Sequence, residues 1–106
     1  ISTITAIGND YGFEEIFSRQ IKAIGKKNDL LIAISTSGNS KNILKAIKVA
    51  NELGIKCFAL SGKDGGRILD LKCDIIRVNS SSTARIQEMH ILIGHLLCKL
   101  IDENIQ

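Results

Sequence analysis

Leu30-Leu31-Ile32-Ala33-Ile34 runs straight into Ser35-Thr36-Ser37-Gly38-Asn39-Ser40. The first five residues are apolar without a break, which suits a strand buried on both faces, as in a parallel sheet. The next six are turn formers. Downstream, Ile43, Leu44, Ile47, Ala50 and Leu53 share one face of a helix that Gly54 closes. Residues 56–61 read as a second strand, 62–66 as a Gly-rich loop, 67–71 as a short helix and 73–78 as a third strand. A Ser-rich loop over 79–83 follows, with Thr83 as N-cap, and then one long helix over 84–105. Upstream, Gly8-Asn9-Asp10 is a turn signal. Phe13, Ile16, Phe17, Ile21 and Ile24 repeat at three and four, so 11–24 reads as an amphipathic helix ended by Gly25.

Strand, helix, strand, helix, strand, helix is the α/β order, and right-handed crossovers make the sheet parallel. The 30–34 strand has no polar face and calls for a neighbour on each side. If 56–61 supplies one, the other is missing from these residues. The chain also opens on Ile1 rather than Met. We therefore expect residues 1–106 to be the carboxyl-terminal part of a single domain, with upstream sequence lost.

Composition narrows the function. The chain has 106 residues, 44% hydrophobic and 24% charged, a globular balance that leaves room for one small domain. Its net charge of +3 is too mild and dispersed for a nucleic-acid or membrane surface. No apolar run reaches the roughly 18–20 residues of a membrane span. Cys57, Cys73 and Cys98 are widely spaced among apolar neighbours. That suits reduced, buried thiols in a cytoplasmic protein better than a disulfide framework or zinc knuckle.

Two stretches carry chemistry. Residues 35–40 lie between a strand's carboxyl end and a helix start, where open α/β sheets bind ligands. The helix start offers free N–H groups and a positive dipole end to an anion. Ser35, Thr36, Ser37 and Ser40 can surround phosphate oxygens with neutral donors, and Gly38 permits close approach. An ordinary capped turn accounts for the same composition. No G-x-x-x-x-G-K-[ST] is present, which argues against a nucleoside triphosphatase. The second stretch is Gln87, Glu88, His90 and His95 on the last helix. His90 and His95 are about 140° apart, so they serve different faces. His95 sits in the most apolar part of that helix, where a neutral imidazole needs a partner or a role. Gln87 and His95 are about 80° apart and about 12 Å along the axis, so if both hold one ion they come from different subunits.

Taken in order, Gly8-Asn9-Asp10-Tyr11-Gly12-Phe13, Ile34-Ser35-Thr36-Ser37-Gly38-Asn39-Ser40, Gly62-Lys63-Asp64-Gly65-Gly66 and Ala84-Arg85-Ile86-Gln87-Glu88-Met89-His90 resemble the sugar isomerase (SIS) domain of the phosphoheptose isomerase family. The similarity runs over essentially the whole chain. It implies a flavodoxin-like parallel sheet flanked by helices, and conversion of D-sedoheptulose 7-phosphate to D-glycero-D-manno-heptose 7-phosphate. In that family the reaction opens ADP-heptose supply for lipopolysaccharide. Carried over by position, Ser35, Thr36, Ser37 and Ser40 would hold the phosphate. Asn9 and Asp10 would contact the polar chain of the substrate. Gln87 would contact substrate and zinc, and His95 would ligate zinc and shuttle a proton.

The resemblance further implies a cytoplasmic homotetramer with active sites between subunits. It departs at one place: the family's G-N-G-G-S-A turn, with the zinc-ligating His and the basic Glu after it, is not in these residues. Glu14 and Glu15 lie on a different element and do not take that role. Residues 1–106 are therefore expected to be inactive by themselves. The competing reading is a non-catalytic SIS phosphosugar-binding or replication-initiator-binding protein. Ser37 and His95 favour the enzyme, because the initiator-binding class carries a basic residue at the first position and lacks the second.

Overall fold

A computed structural model describes residues 12–105. A 3-10 turn, Phe13–Glu15, leads into α1 (Ile16–Ile24). β1 (Leu30–Ile34), α2 (Lys41–Glu52) and β2 (Lys56–Gly62) follow. A second 3-10 turn, Gly66–Asp70, precedes β3 (Asp74–Val78) and α3 (Thr83–Ile105). The three strands form one parallel sheet in the order β1-β2-β3. The expected α/β class and parallel sheet are therefore present, and Thr83 lies inside α3 rather than ahead of it.

β1 has, as expected, one neighbour among the described residues, and another strand is central. β2 takes that place, pairing Leu31 with Cys57 on one side and Leu60 with Ile76 on the other. β1 is an edge strand among the described residues. Leu30, Ile32 and Ile34 stand 57%, 43% and 52% exposed along its outer face. Among the described residues, no strand pairs with the other edge of this apolar run. Phe17, Ile21, Ile24 and these strand residues line an apolar groove of about 520 Å³ on the same side.

The core lies between α2 and the sheet. Ala33, Leu44, Ile47, Ala50, Ile55, Cys57, Ala59 and Ile68 form one buried cluster. Burying a side chain such as Ile47 stabilises by roughly 1.5–3 kcal/mol through apolar surface removed from water. Gly25 ends α1 in extended backbone rather than a left-handed cap, and its N–H donates to the Ile21 carbonyl at 2.7 Å. A Cβ there would stand 2.6 Å from the Ile21 carbonyl oxygen, a backbone atom, so the glycine is required by close approach to the helix end. Glu15 joins α1 to α2 by accepting from Lys45 Nζ at 2.8 Å and from Ser18 Oγ at 2.9 Å.

The cysteines divide. Cys57 is buried, Cys73 half-buried and Cys98 exposed, so the expectation of three interior thiols fails at Cys98. It fails because α3 has only one covered face: Ile86 and His90 are buried, while Met89, Ile91, Leu92, Leu96, Leu100 and Ile101 are all exposed.

Candidate functional site

Parallel strands end together, so the loops after β1, β2 and β3 gather at the carboxyl end of the sheet. The loop after β1 is tightly organised. Ser35 N–H donates to the Leu60 carbonyl at 3.0 Å, extending the β1–β2 ladder by one residue. Ser35 Oγ and Ser40 Oγ lie 2.9 Å apart, closing the loop at its base. Gly38 N–H donates to Ser35 Oγ at 3.1 Å, and Asn39 N–H to Ser37 Oγ at 3.1 Å. Ser35 is buried, Thr36 and Ser37 are half-buried and Ser40 is exposed.

Ser40 is the N-cap of α2 but makes no side-chain cap bond. With its hydroxyl directed to Ser35 instead, Ser40 caps no amide of α2, and in the first turn Asn42 Oδ1 accepts from the Ile43 N–H at 2.8 Å. The Ser35 and Ser40 hydroxyls thus meet at the start of α2, with Thr36 and Ser37 in the loop between them, an arrangement suited to a phosphate group.

The loop after β2 is clasped to this one backbone to backbone. Gly38 has φ 72°, and a Cβ on it would run into the Gly65 carbonyl. Gly66 has φ 67°, and a Cβ there would run into the Ser37 carbonyl. Asn39 Oδ1 accepts from Arg67 N–H at 2.8 Å, and the Gly38 carbonyl accepts from Ile68 N–H at 3.0 Å. The Gly-rich stretch 62–66 was visible in the sequence, but its contact with residues 37–39 was not. A signal existed in the glycine doublet opposite a lone loop glycine, which together permit two backbones to touch.

An open cleft of about 790 Å³ lies at this mouth, lined by Ser37, Asn39, Lys63, Asp64, Asn79, Ser80 and Ser81. α3 starts beside it. A Cβ on Gly62 would stand 2.5 Å from Ile86 Cδ1, and Ile86 is fully buried against that glycine. One turn on, His90 is 5% exposed, with its Nε2 2.9 Å from the Ser61 carbonyl. That carbonyl can only accept, so Nε2 carries a proton, and the buried Nδ1 has no hydrogen-bond partner.

The buried imidazole of α3 is thus His90, whereas His95 is exposed. Nine residues after Ile86 is about 180° round the helix, so His95 faces away from this chain's own sheet. Gln87 is exposed next to Ile86, at the start of the helix. Gln87 and His95, about 12 Å apart along α3, do not meet within one chain. Ser35 and Ser40 are brought together, with Thr36 and Ser37 in the loop between them; Asn9 and Asp10 lie outside the described residues. Among the described residues no three His, Cys, Asp or Glu side chains group as metal ligands. At the far end of the sheet, burial pushes the Cys57 thiol up and the Cys73 thiol up to about 11.

Comparison with known proteins extends this geometry. A family model described as SIS domain matches residues 1–62. The phosphoheptose isomerase of a Nitratiruptor species is 59% identical over 103 residues, 97% of this chain and 55% of that protein. The phosphoheptose isomerase of Helicobacter pylori (strain Shi470) is 55% identical over 103 residues, 97% of this chain and 54% of that protein. The structure of a phosphoheptose isomerase from Francisella tularensis superposes with a TM-score of 0.93 at 45% identity, covering 97% of this chain and 58% of that one. The chain spans about half the length of the curated relatives it matches.

Proposed function

The chain belongs to the SIS domain family, and on that footing we propose that it is the phosphate-holding part of an aldose–ketose isomerase acting on sedoheptulose 7-phosphate. The product is D-glycero-D-manno-heptose 7-phosphate, a precursor for ADP-heptose and lipopolysaccharide. The observation that supports this is the serine loop: Ser35 and Ser40 bond to each other at the start of α2, and the glycine clasp holds the loop that carries Thr36 and Ser37 between them. The isomerase names of the relatives at 59% and 55% identity favour this over a non-catalytic phosphosugar-binding protein.

The reaction moves a proton between C1 and C2 through an enediol and needs a base that titrates near neutrality. His95 is the imidazole we assign to it, with Gln87 on the sugar chain and Asn9 and Asp10 on its hydroxyls. Because His95 turns away from its own sheet, it serves the serine loop of another copy. The exposed apolar residues Ile91, Leu92, Leu96 and Ile101 support such a covered helix, and we assign a homotetramer. Zinc does not fit Gln87 and His95 of a single chain, given their axial separation. It enters this reading only as an ion shared between copies, and no step here depends on it. No helix of the described residues is long and apolar enough to cross a membrane; the cytoplasm is the location we assign from the resemblance to the isomerase family.

A coupled assay of heptose 7-phosphate formation on the full-length protein tests this. Ser37→Ala should raise KM more than it lowers kcat, and His95→Ala should abolish turnover while phosphosugar binding persists. Turnover at the wild-type rate in His95→Ala would remove that residue from the mechanism.

A further inference from the structure

Lys63 is the one non-glycine residue with a left-handed backbone among the described residues, at φ 54°. Two hydrogen bonds hold it there. Its N–H donates to the Ser80 carbonyl at 3.0 Å, and its carbonyl accepts from Arg77 Nη1 at 3.2 Å. Glycine is the favoured residue for such a conformation. This loop already contains Gly62, Gly65 and Gly66, yet it carries lysine at 63. Disfavoured backbone retained by its surroundings concentrates at ligand sites.

The position of Lys63 gives that lysine a task. It lines the cleft shared with Ser37, Asn39 and Ser80. Among the described residues no carboxylate lies within ion-pair distance of its ammonium. Arg85, in the first turn of α3, is already committed to Glu88, donating to both carboxylate oxygens at 3.0 and 2.8 Å. The serine loop supplies hydroxyls and amides but no charge, whereas a phosphate monoester carries nearly two negative charges at neutral pH.

We infer that Lys63 is a substrate-binding residue that supplies positive charge to the phosphate held by residues 35–40, and so selects the phosphorylated sugar over its unphosphorylated form. This rests on the reading of residues 35–40 as the phosphate site. The left-handed backbone sets the lysine on the rim of the serine loop, and the Ser80 and Arg77 bonds keep it there. A charged donor strengthens its bonds to phosphate relative to neutral ones. Its contribution weakens with salt, because the cleft is open to solvent.

The test is calorimetric titration of the full chain with sedoheptulose 7-phosphate and, separately, with sedoheptulose. Lys63→Met should weaken phosphosugar binding about tenfold and leave sedoheptulose binding unchanged. Lys63→Arg should stay within about threefold of wild type, and the wild-type affinity should fall more steeply with salt than that of Lys63→Met. Lys63→Gly separates folding from binding: it should raise Tm by a few degrees through relief of the backbone, yet bind phosphosugar as poorly as Lys63→Met. Wild-type phosphosugar affinity in Lys63→Met, or equal weakness of the Met and Arg variants, overturns the assignment. A wild-type protein that does not distinguish the two sugars overturns the phosphate reading beneath it as well.

Discussion

Gly38 and Gly54 offer a matched pair. Both have left-handed backbone, φ 72° and 75°. An alanine Cβ at Gly54 would meet only the flexible Lys27 side chain, at 3.4 Å or more. At Gly38 it would strike the Gly65 carbonyl oxygen and stand 2.7 Å from the Gly65 carbonyl carbon, both backbone atoms of the facing loop. The conformational penalty of about 1–2 kcal/mol is therefore common to the two substitutions. Only Gly38→Ala adds overpacking, about 1–3 kcal/mol, because neither backbone can rotate aside as a side chain does. Adding these contributions, Gly54→Ala should cost about 1–2 kcal/mol and Gly38→Ala about 2–5 kcal/mol.

Urea unfolding of the full chain, with the slope compared as well as the midpoint, measures both. Gly38→Ala should also lose phosphosugar affinity, since Ser37 and Asn39 must move with it, while Gly54→Ala should not. Equal destabilisation by the two alanines would refute the clasp as a close backbone contact. So would a Gly38→Ala protein that binds phosphosugar normally.

Ile86→Ala should cost about 2–5 kcal/mol by thermal or urea unfolding, because a fully buried side chain is removed beside Gly62 and β2. Cys73, its thiol raised to about 11 by burial, should be mostly neutral at pH 8, with a thiolate fraction of about one in a thousand. Alkylation followed by peptide mass spectrometry should find it labelled slowly until the pH nears that value; rapid labelling at pH 8 would contradict its burial. Hydrogen bonds from Lys45 and then Ser18 hold the Glu15 carboxyl below its ordinary 4.5. A depressed folded-state value means that its stabilisation is present above the ordinary carboxylate range and is lost as pH falls through the folded value. Glu15→Gln should therefore be slightly less stable than wild type at neutral pH and show a flatter acid limb below about pH 4.5, the two profiles converging in acid. An acid limb identical to wild type would remove Glu15 from that transition.

Much of the fold could be read from local pattern. The 30–34 run matches β1 residue for residue, and the period of Leu44, Ile47 and Ala50 places the buried face of α2 correctly. The pattern cannot name partners beyond the segment. The apolar run at 30–34 calls for a neighbour on each side, and the described residues supply β2 alone, which leaves Leu30, Ile32 and Ile34 exposed. The same limit explains the histidines of α3. Apolar neighbours surround both His90 and His95, and only the phase of the helix against β2 sends the first inward and the second out. At the site, the hydroxyls of 35–40 were evident from composition. The clasp joining Gly38 to Gly65 and Gly66, and Asn39 to Arg67, was not, because contacts 27 or more residues apart leave no periodic trace.

That clasp also bears on how quickly a ligand is captured. A loop pinned at Ser35, Ser40 and Asn39 is already in its receiving shape before anything arrives. The entropy of ordering it is met during folding, so encounter need not wait for a flap to close. Recognition at the phosphate end should then behave as a rigid receptor, with affinity differences among sugar phosphates arising in departure rather than arrival.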